Sequence, residues 1–166
     1  MRRMIAPASA LAAALVLAAP NPMEGRMPPS RTVVHARHGM VASAHPLATR
    51  IGIDILKRGG TAVDAAIAVN AALGFLEPVS CGVGGDLFAI LWDPKSGAIH
   101  ALNGSGRAPQ AARAERITPE ANGTIPLFSP WSWTVPGAVD GWFALHARFG
   151  RLPMKEILAP AIRAAE

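Results

Sequence analysis

Tyrosine is absent from the 166 residues, cysteine occurs once, and only 16% of positions carry Asp, Glu, Lys or Arg. A single thiol, Cys81, closes no intrachain disulfide and builds no cysteine metal centre, so the fold must stand on packing. Aromatic residues make up 5%, while 51% of the chain is hydrophobic in type, much of it Ala, alongside 16 Gly. Such small side chains point to closely packed helices and tight turns, and the apolar share excludes disorder. No period recurs and no heptad is sustained, which rules out repeat arrays, coiled coils and collagen. At roughly 150 residues per domain, the length allows one domain.

Charge is scarce and scattered. The formal excess of +5 has no run longer than Arg2-Arg3 or Lys57-Arg58, so it supplies no footprint for nucleic acid. Arg2 and Arg3 precede residues 5–19, which carry no charge and are shorter than the ~20 residues of a membrane span. That pattern predicts a signal peptide over residues 1–22, no stable membrane span, and a periplasmic or secreted protein. Removing the leader takes two Arg with it and brings the charge to +3. Residues 23–31, rich in Pro, predict a flexible lead-in, and residues 32–166 the folded part.

Thr32 to Ser43 reads as one or two short strands. From Pro46, the rows Leu47-Ile51-Ile55 and Ala48-Gly52-Leu56 predict a helix with Pro in its first turn and Gly59 just past its end. Thr61 with Asp64 resembles a capping box, and Val63, Ala66, Ile67 and Ala71 continue a second helix in which Asn70 needs a polar partner. Leu87 to Trp92 is an unbroken apolar run, predicted as a strand buried on both faces. Asp93 to Gly97 is turn chemistry, and Ala98 to Leu102 returns as its partner. Asn103 to Pro136 reads as a long excursion, with Trp131 and Trp133 expected to be buried under it, the alternative being that they line a pocket. Two helices close the chain, Ala138 to Phe149 and Pro153 to Ala165, the last with Leu158 and Ile162 on its apolar face. That last pattern carries no stop signal, so the chain is expected to be cut short.

Several chemistries fail on residue type or spacing. Gly82-Val83-Gly84-Gly85 lacks the Lys and following helix of a phosphate loop, and a dinucleotide fingerprint would need Gly where Leu87 stands. The cluster instead lets backbone approach backbone, or a ligand, at the entrance to a strand. His35 and His38 would face opposite sides of a strand, and no metal-ligand spacing recurs, so no metal and no cofactor is expected. No Gly-x-Ser-x-Gly elbow supports a serine triad. Cys81, ahead of an apolar run, reads as a small buried side chain rather than a nucleophile. Asn103-Gly104-Ser105-Gly106-Arg107-Ala108-Pro109 is different, since a flexible turn at a strand end presents a hydroxyl and a guanidinium. A guanidinium so placed either forks onto a substrate carboxylate or is solvated while it stabilises the turn.

Three ordered blocks, Gly39 to Thr49, Gly59 to Ala66 and Glu77 to Gly85, resemble the N-terminal third of γ-glutamyltranspeptidases. Val135-Pro136-Gly137, Phe149 to Pro153 and Leu158 to Ile162 resemble the next block, so the likeness covers Arg37 to Glu166. The resemblance implies an α/β fold: part of the αββα sandwich of N-terminal nucleophile hydrolases, with helices packed on a central β hairpin, incomplete in this chain. It also implies a precursor that cuts itself to free a Thr, whose own amine is the base for attack on a γ-glutamyl amide such as glutathione. An acyl-enzyme then passes the acyl group to water or an amino acid, with an oxyanion hole holding the tetrahedral charge.

Two departures matter. None of Thr32, Thr49, Thr61, Thr118, Thr124 or Thr134 lies in a segment like the family's processing site, so no catalytic residue is assigned here. The nucleophile is expected on the C-terminal small subunit of the same precursor, which makes that subunit the implied partner. Family members typically read Arg-Glu-Thr-Ala-Pro where this chain reads Ser105-Gly106-Arg107-Ala108-Pro109, and their Arg grips the substrate's α-carboxylate. Ser105 cannot supply a charged fork, and Arg107 lies two residues on. Ser105 and Arg107 are therefore the candidate substrate-binding residues. A γ-glutamyl amide, a different amide cleaved by a related amidase or acylase, and a truncated non-catalytic member all stay open.

Overall fold

A computed structural model describes residues 33–117 and 123–166; the predicted leader and lead-in lie outside the described residues. The chain divides into two units, residues 1–36 and 37–166. Of the first, 33–36 are exposed and without regular structure.

In the second unit, α1 (Pro46–Lys57) begins where His45 caps it, Nδ1 accepting the Leu47 N–H at 3.2 Å. It ends at Gly59, whose φ of +87° suits glycine. The N–H groups of Gly59 and Gly60 donate to the Leu56 and Ile55 carbonyls at 3.0 and 3.1 Å, so the last turn's free acceptors are satisfied. A reciprocal cap then starts α2 (Ala62–Leu76): Asp64 N–H donates to Thr61 Oγ1 at 3.1 Å, and Thr61 N–H to Asp64 Oδ2 at 2.8 Å. β1 (Leu87–Asp93) and β2 (Ala98–Gly104) pair antiparallel, Leu87 opposite Gly104 and Asp93 opposite Ala98. After an irregular stretch come α3 (Ala138–Phe149) and α4 (Met154–Ala165).

α2 is the central helix, flanked by α1, α3 and α4, while α3 also lies against both strands. The core joins Ile51 and Ile55 of α1, Ile67 and Val69 of α2, Trp142 and Leu145 of α3, and Ile157 of α4. The inner sheet face packs on it through Leu87, Ala89, Leu91 and Leu102. Burying one such aliphatic side chain fully contributes about 1.5–3 kcal/mol, and Ile55 and Ile157 are fully buried. Asn70 finds the partner it needs, its Oδ1 accepting Trp142 Nε1–H at 2.8 Å.

The chain is α/β, with helices packed on one face of a central β hairpin, as the resemblance implies. Several local expectations need correction. Residues 33–43 form no strand, because β1 and β2 pair only with each other among the described residues, and an extended segment without a ladder is not a strand. β1 is not buried on both faces: Phe88, Ile90 and Trp92 stand exposed, since helices cover one side only. In α1 the inward row is Ala48, Ile51, Gly52 and Ile55, with Leu47 at the rim, because close contact with an Ala-rich helix favours the small row. In α2, Ala66 is exposed while Ala65, Ala68 and Ala72 are buried. In α4, Ile157 rather than Ile162 is buried, and Leu158 is half-buried. Cys81 is half-buried, not enclosed.

Candidate functional site

The strand end and the start of α3 meet at close quarters. The Val135 N–H donates to the Arg107 carbonyl at 2.9 Å, while Gly137 and Ala138 donate to the Gly85 carbonyl at 3.1 and 3.0 Å. The glycines before β1 are not what permits this approach: a Cβ on Gly82 or Gly84 would meet nothing within 4 Å, and on Gly85 only the Gly82 carbonyl at 3.4 Å, so the tight approach expected of that cluster falls instead at Gly106 and Gly137. Gly106, at φ +75°, turns the chain against the Val135 carbonyl, and a side chain on Gly137 would strike the Gly104 carbonyl. Only glycine admits this spacing.

The ribbons at 103–108 and 135–137 enclose an open recess of about 650 Å³, with Gln110 and Asp140 completing its wall. Ser105 and Arg107 both line it, so the two residues singled out from sequence come together. Ser105 is half-buried and its N–H donates to Asn103 Oδ1 at 3.0 Å, which fixes the turn as an Asx turn. Arg107 is exposed, and no ion pair joins it to Asp140 among the described residues. One cationic and one acidic residue therefore border the same recess, both exposed. Asp140 was missed in the sequence; its signal was its place in the first turn of a helix that follows Pro136-Gly137. Behind the opening, Thr134 Oγ1 donates to Asp86 Oδ1 at 3.1 Å and ties the returning chain to the start of β1.

Other cavities carry less chemistry. An apolar one of about 480 Å³ between residues 40–43, α2 and β1 has Asn70 as a polar lining group, already engaged by Trp142. A cleft at the hairpin turn holds Lys95, Arg148 and Arg151. There the Arg151 guanidinium donates to the Gly59 carbonyl at 3.0 Å, and that of Arg148 lies 5.0 Å from the centre of the Phe149 ring. Trp131 and Trp133 are not buried as expected, at 37% and 65% exposure, because the excursion lies along the surface. Among the described residues no group of three or more His, Cys, Asp or Glu could hold a metal, and no helix is long and apolar enough to cross a membrane.

Known proteins resemble this chain over the region containing the recess. The gamma-glutamyltranspeptidase family profile matches residues 48–166. A glutathione hydrolase proenzyme of Bacillus subtilis is 34% identical over 95% of the chain and 29% of its own length. The crystal structure of a cephalosporin acylase from Bacillus halodurans superposes with a TM-score of 0.74 at 45% identity, over 87% of this chain and 27% of that one. The γ-glutamyltranspeptidase of Helicobacter pylori gives 0.72 at 32% identity, over 81% and 39%. The chain spans under a third of the length of the curated relatives it matches first. With its helices and hairpin laid out as in these hydrolases and its sequence matched from α1 to Glu166, the chain belongs to the γ-glutamyltranspeptidase family.

Proposed function

We propose that this chain is the N-terminal part of an exported, self-processing hydrolase that cleaves γ-glutamyl amides such as glutathione and passes the acyl group to water or an amino acid. The carrying observation is the Ser105-Gly106-Arg107 turn, held open by Gly106 and facing the recess. In this reading Arg107 takes the substrate's carboxylate and Ser105 hydrogen-bonds beside it. The attacking Thr and its free amine belong to the C-terminal subunit of the same precursor, and residues 1–22 direct export.

The processed full-length precursor should release a chromophore from a γ-glutamyl anilide. Arg107→Ala should lower kcat/KM at least tenfold, the loss of about 1.5 kcal/mol from a charged hydrogen bond. An unchanged kcat/KM would remove Arg107 from the site. A second reading, an acylase of the same family with another acyl group, is favoured by Ser105 at the place of the family's carboxylate-gripping Arg and by the 45% identity to the cephalosporin acylase. It predicts turnover of amides whose acyl part has no α-carboxylate, with little response to Arg107→Ala.

A further inference from the structure

A smaller cavity, about 220 Å³, lies along the irregular stretch between β2 and α3, lined by Pro109, Ala111, Ala112, Pro130 and Trp131. None of these side chains carries a charge. Its wall at 109–112 continues the turn that lines the polar recess through Ala108 and Gln110. The two cavities therefore lie against one stretch of chain whose residues are ~3.8 Å apart.

The walls are set before any ligand arrives. Ser129 Oγ accepts the Trp131 N–H at 3.2 Å, and the Ser132 hydroxyl is shared between the Leu127 and Ser129 carbonyls at 2.8 and 2.7 Å. On the facing side the Ala112 N–H closes a turn onto the Pro109 carbonyl at 2.9 Å, and both prolines have fixed φ. Trp131 is 37% exposed, against 92% for Phe128 and 65% for Trp133, so among the aromatic groups of this stretch it turns furthest into the protein. An apolar cavity of roughly 150 Å³ holds benzene, so this one admits a ring with a short tether and excludes a folded peptide segment. Rigid apolar walls bind such a group without the cost of ordering them.

We propose that Pro109, Ala112, Pro130 and Trp131 form a subsite for an aryl ring or compact alkyl group of the amide substrate, whose polar head sits in the neighbouring recess. The proposal rests on the amide-hydrolase reading above. The ring can belong to the acyl part or to the departing amine, and substrate pairs separate these sources.

The test uses the processed precursor with Trp131→Ala and Trp131→Phe, and quantifies released amine. One pair keeps a methylamide and changes acetyl to phenylacetyl; the other keeps γ-glutamyl and changes methylamide to benzylamide. In one pair, the ratio of kcat/KM for the aryl substrate to that for its alkyl counterpart should fall roughly tenfold in Trp131→Ala and be retained in Trp131→Phe. A folding defect lowers both members alike and leaves the ratio untouched. Ratios unchanged in both pairs, in an enzyme that does cleave amides, overturn the subsite alone. A wild-type protein that releases amine from no γ-glutamyl or related amide overturns the hydrolase reading, and the subsite with it.

Discussion

The helical layer and the outer face of the hairpin are built from similar residues and meet opposite fates. Ile55, Ile67 and Ile157 are at most 2% exposed, whereas Ile90 and Ile99, on the sheet's outer face, are 81% and 70% exposed. β1 and β2 are each half-buried on their inner side and bare on the other. Apolar character therefore does not decide burial; the presence of a covering layer does. Residue substitutions should cost very different amounts on the two sides, and that contrast can be measured.

The largest expected effect lies in the helical layer, at Asp64, the one buried charged residue among the described residues. Asp64 is fully buried and accepts N–H bonds from Thr61 at 2.8 Å, Arg151 at 3.1 Å and Leu152 at 3.2 Å. It thereby caps α2 and also clamps the connection between α3 and α4. Asp64→Ala leaves three part-buried donors without that acceptor, at about 1 kcal/mol each, the low end of the range for an unpaired donor, so a loss of roughly 3 kcal/mol is expected in denaturant unfolding. A loss near 1 kcal/mol, the usual worth of a lone helix cap, would mean that the clamp contributes nothing.

Asp64 also marks the boundary of what the sequence discloses. Its cap to Thr61 spans three residues and is legible as a local pattern, as are the Gly59 stop and the limits of α3. Its bonds to Arg151 and Leu152 cross most of the chain and have no local signature. The same division holds for burial. An apolar run announces β1, but only the layer count tells that Phe88 and Trp92 lack a cover. In α2, apolar nearly all round, periodicity cannot choose between Ala65 and Ala66. At the recess, Ser105 and Arg107 were legible because a Gly-flanked turn at a strand end is a local pattern. Asp140 arrives there by the fold-back of residues 134–137, which sequence spacing does not record.

A smaller effect is expected on the bare face. In the 166-residue chain by itself, Ile90→Thr should change unfolding free energy by under about 0.5 kcal/mol, as exposed substitutions do, because little apolar contact is lost and Thr suits a strand. A cost above about 1.5 kcal/mol would show that the measured protein covers this face, which would erase the contrast between the two regions.

The smallest effect sits at the turn between β1 and β2. The Ser96 hydroxyl donates to Asp93 Oδ2 at 2.7 Å and the Lys95 N–H to Oδ1 at 3.0 Å. With lesser help from the Ser96 N–H and His100, these hold the Asp93 carboxyl below its ordinary value against a small opposing pull from desolvation. A carboxyl depressed in the folded state adds stability above its unfolded pKa, and that contribution disappears as pH falls through the folded value. The turn should therefore loosen only on the acid side of the usual carboxylate range. Ser96→Ala should raise the Asp93 titration midpoint, followed by its carboxyl carbon resonance, and move that loosening to higher pH. An unmoved midpoint would mean that the Ser96 hydroxyl bond does not persist in solution, leaving the Lys95 N–H to hold the turn.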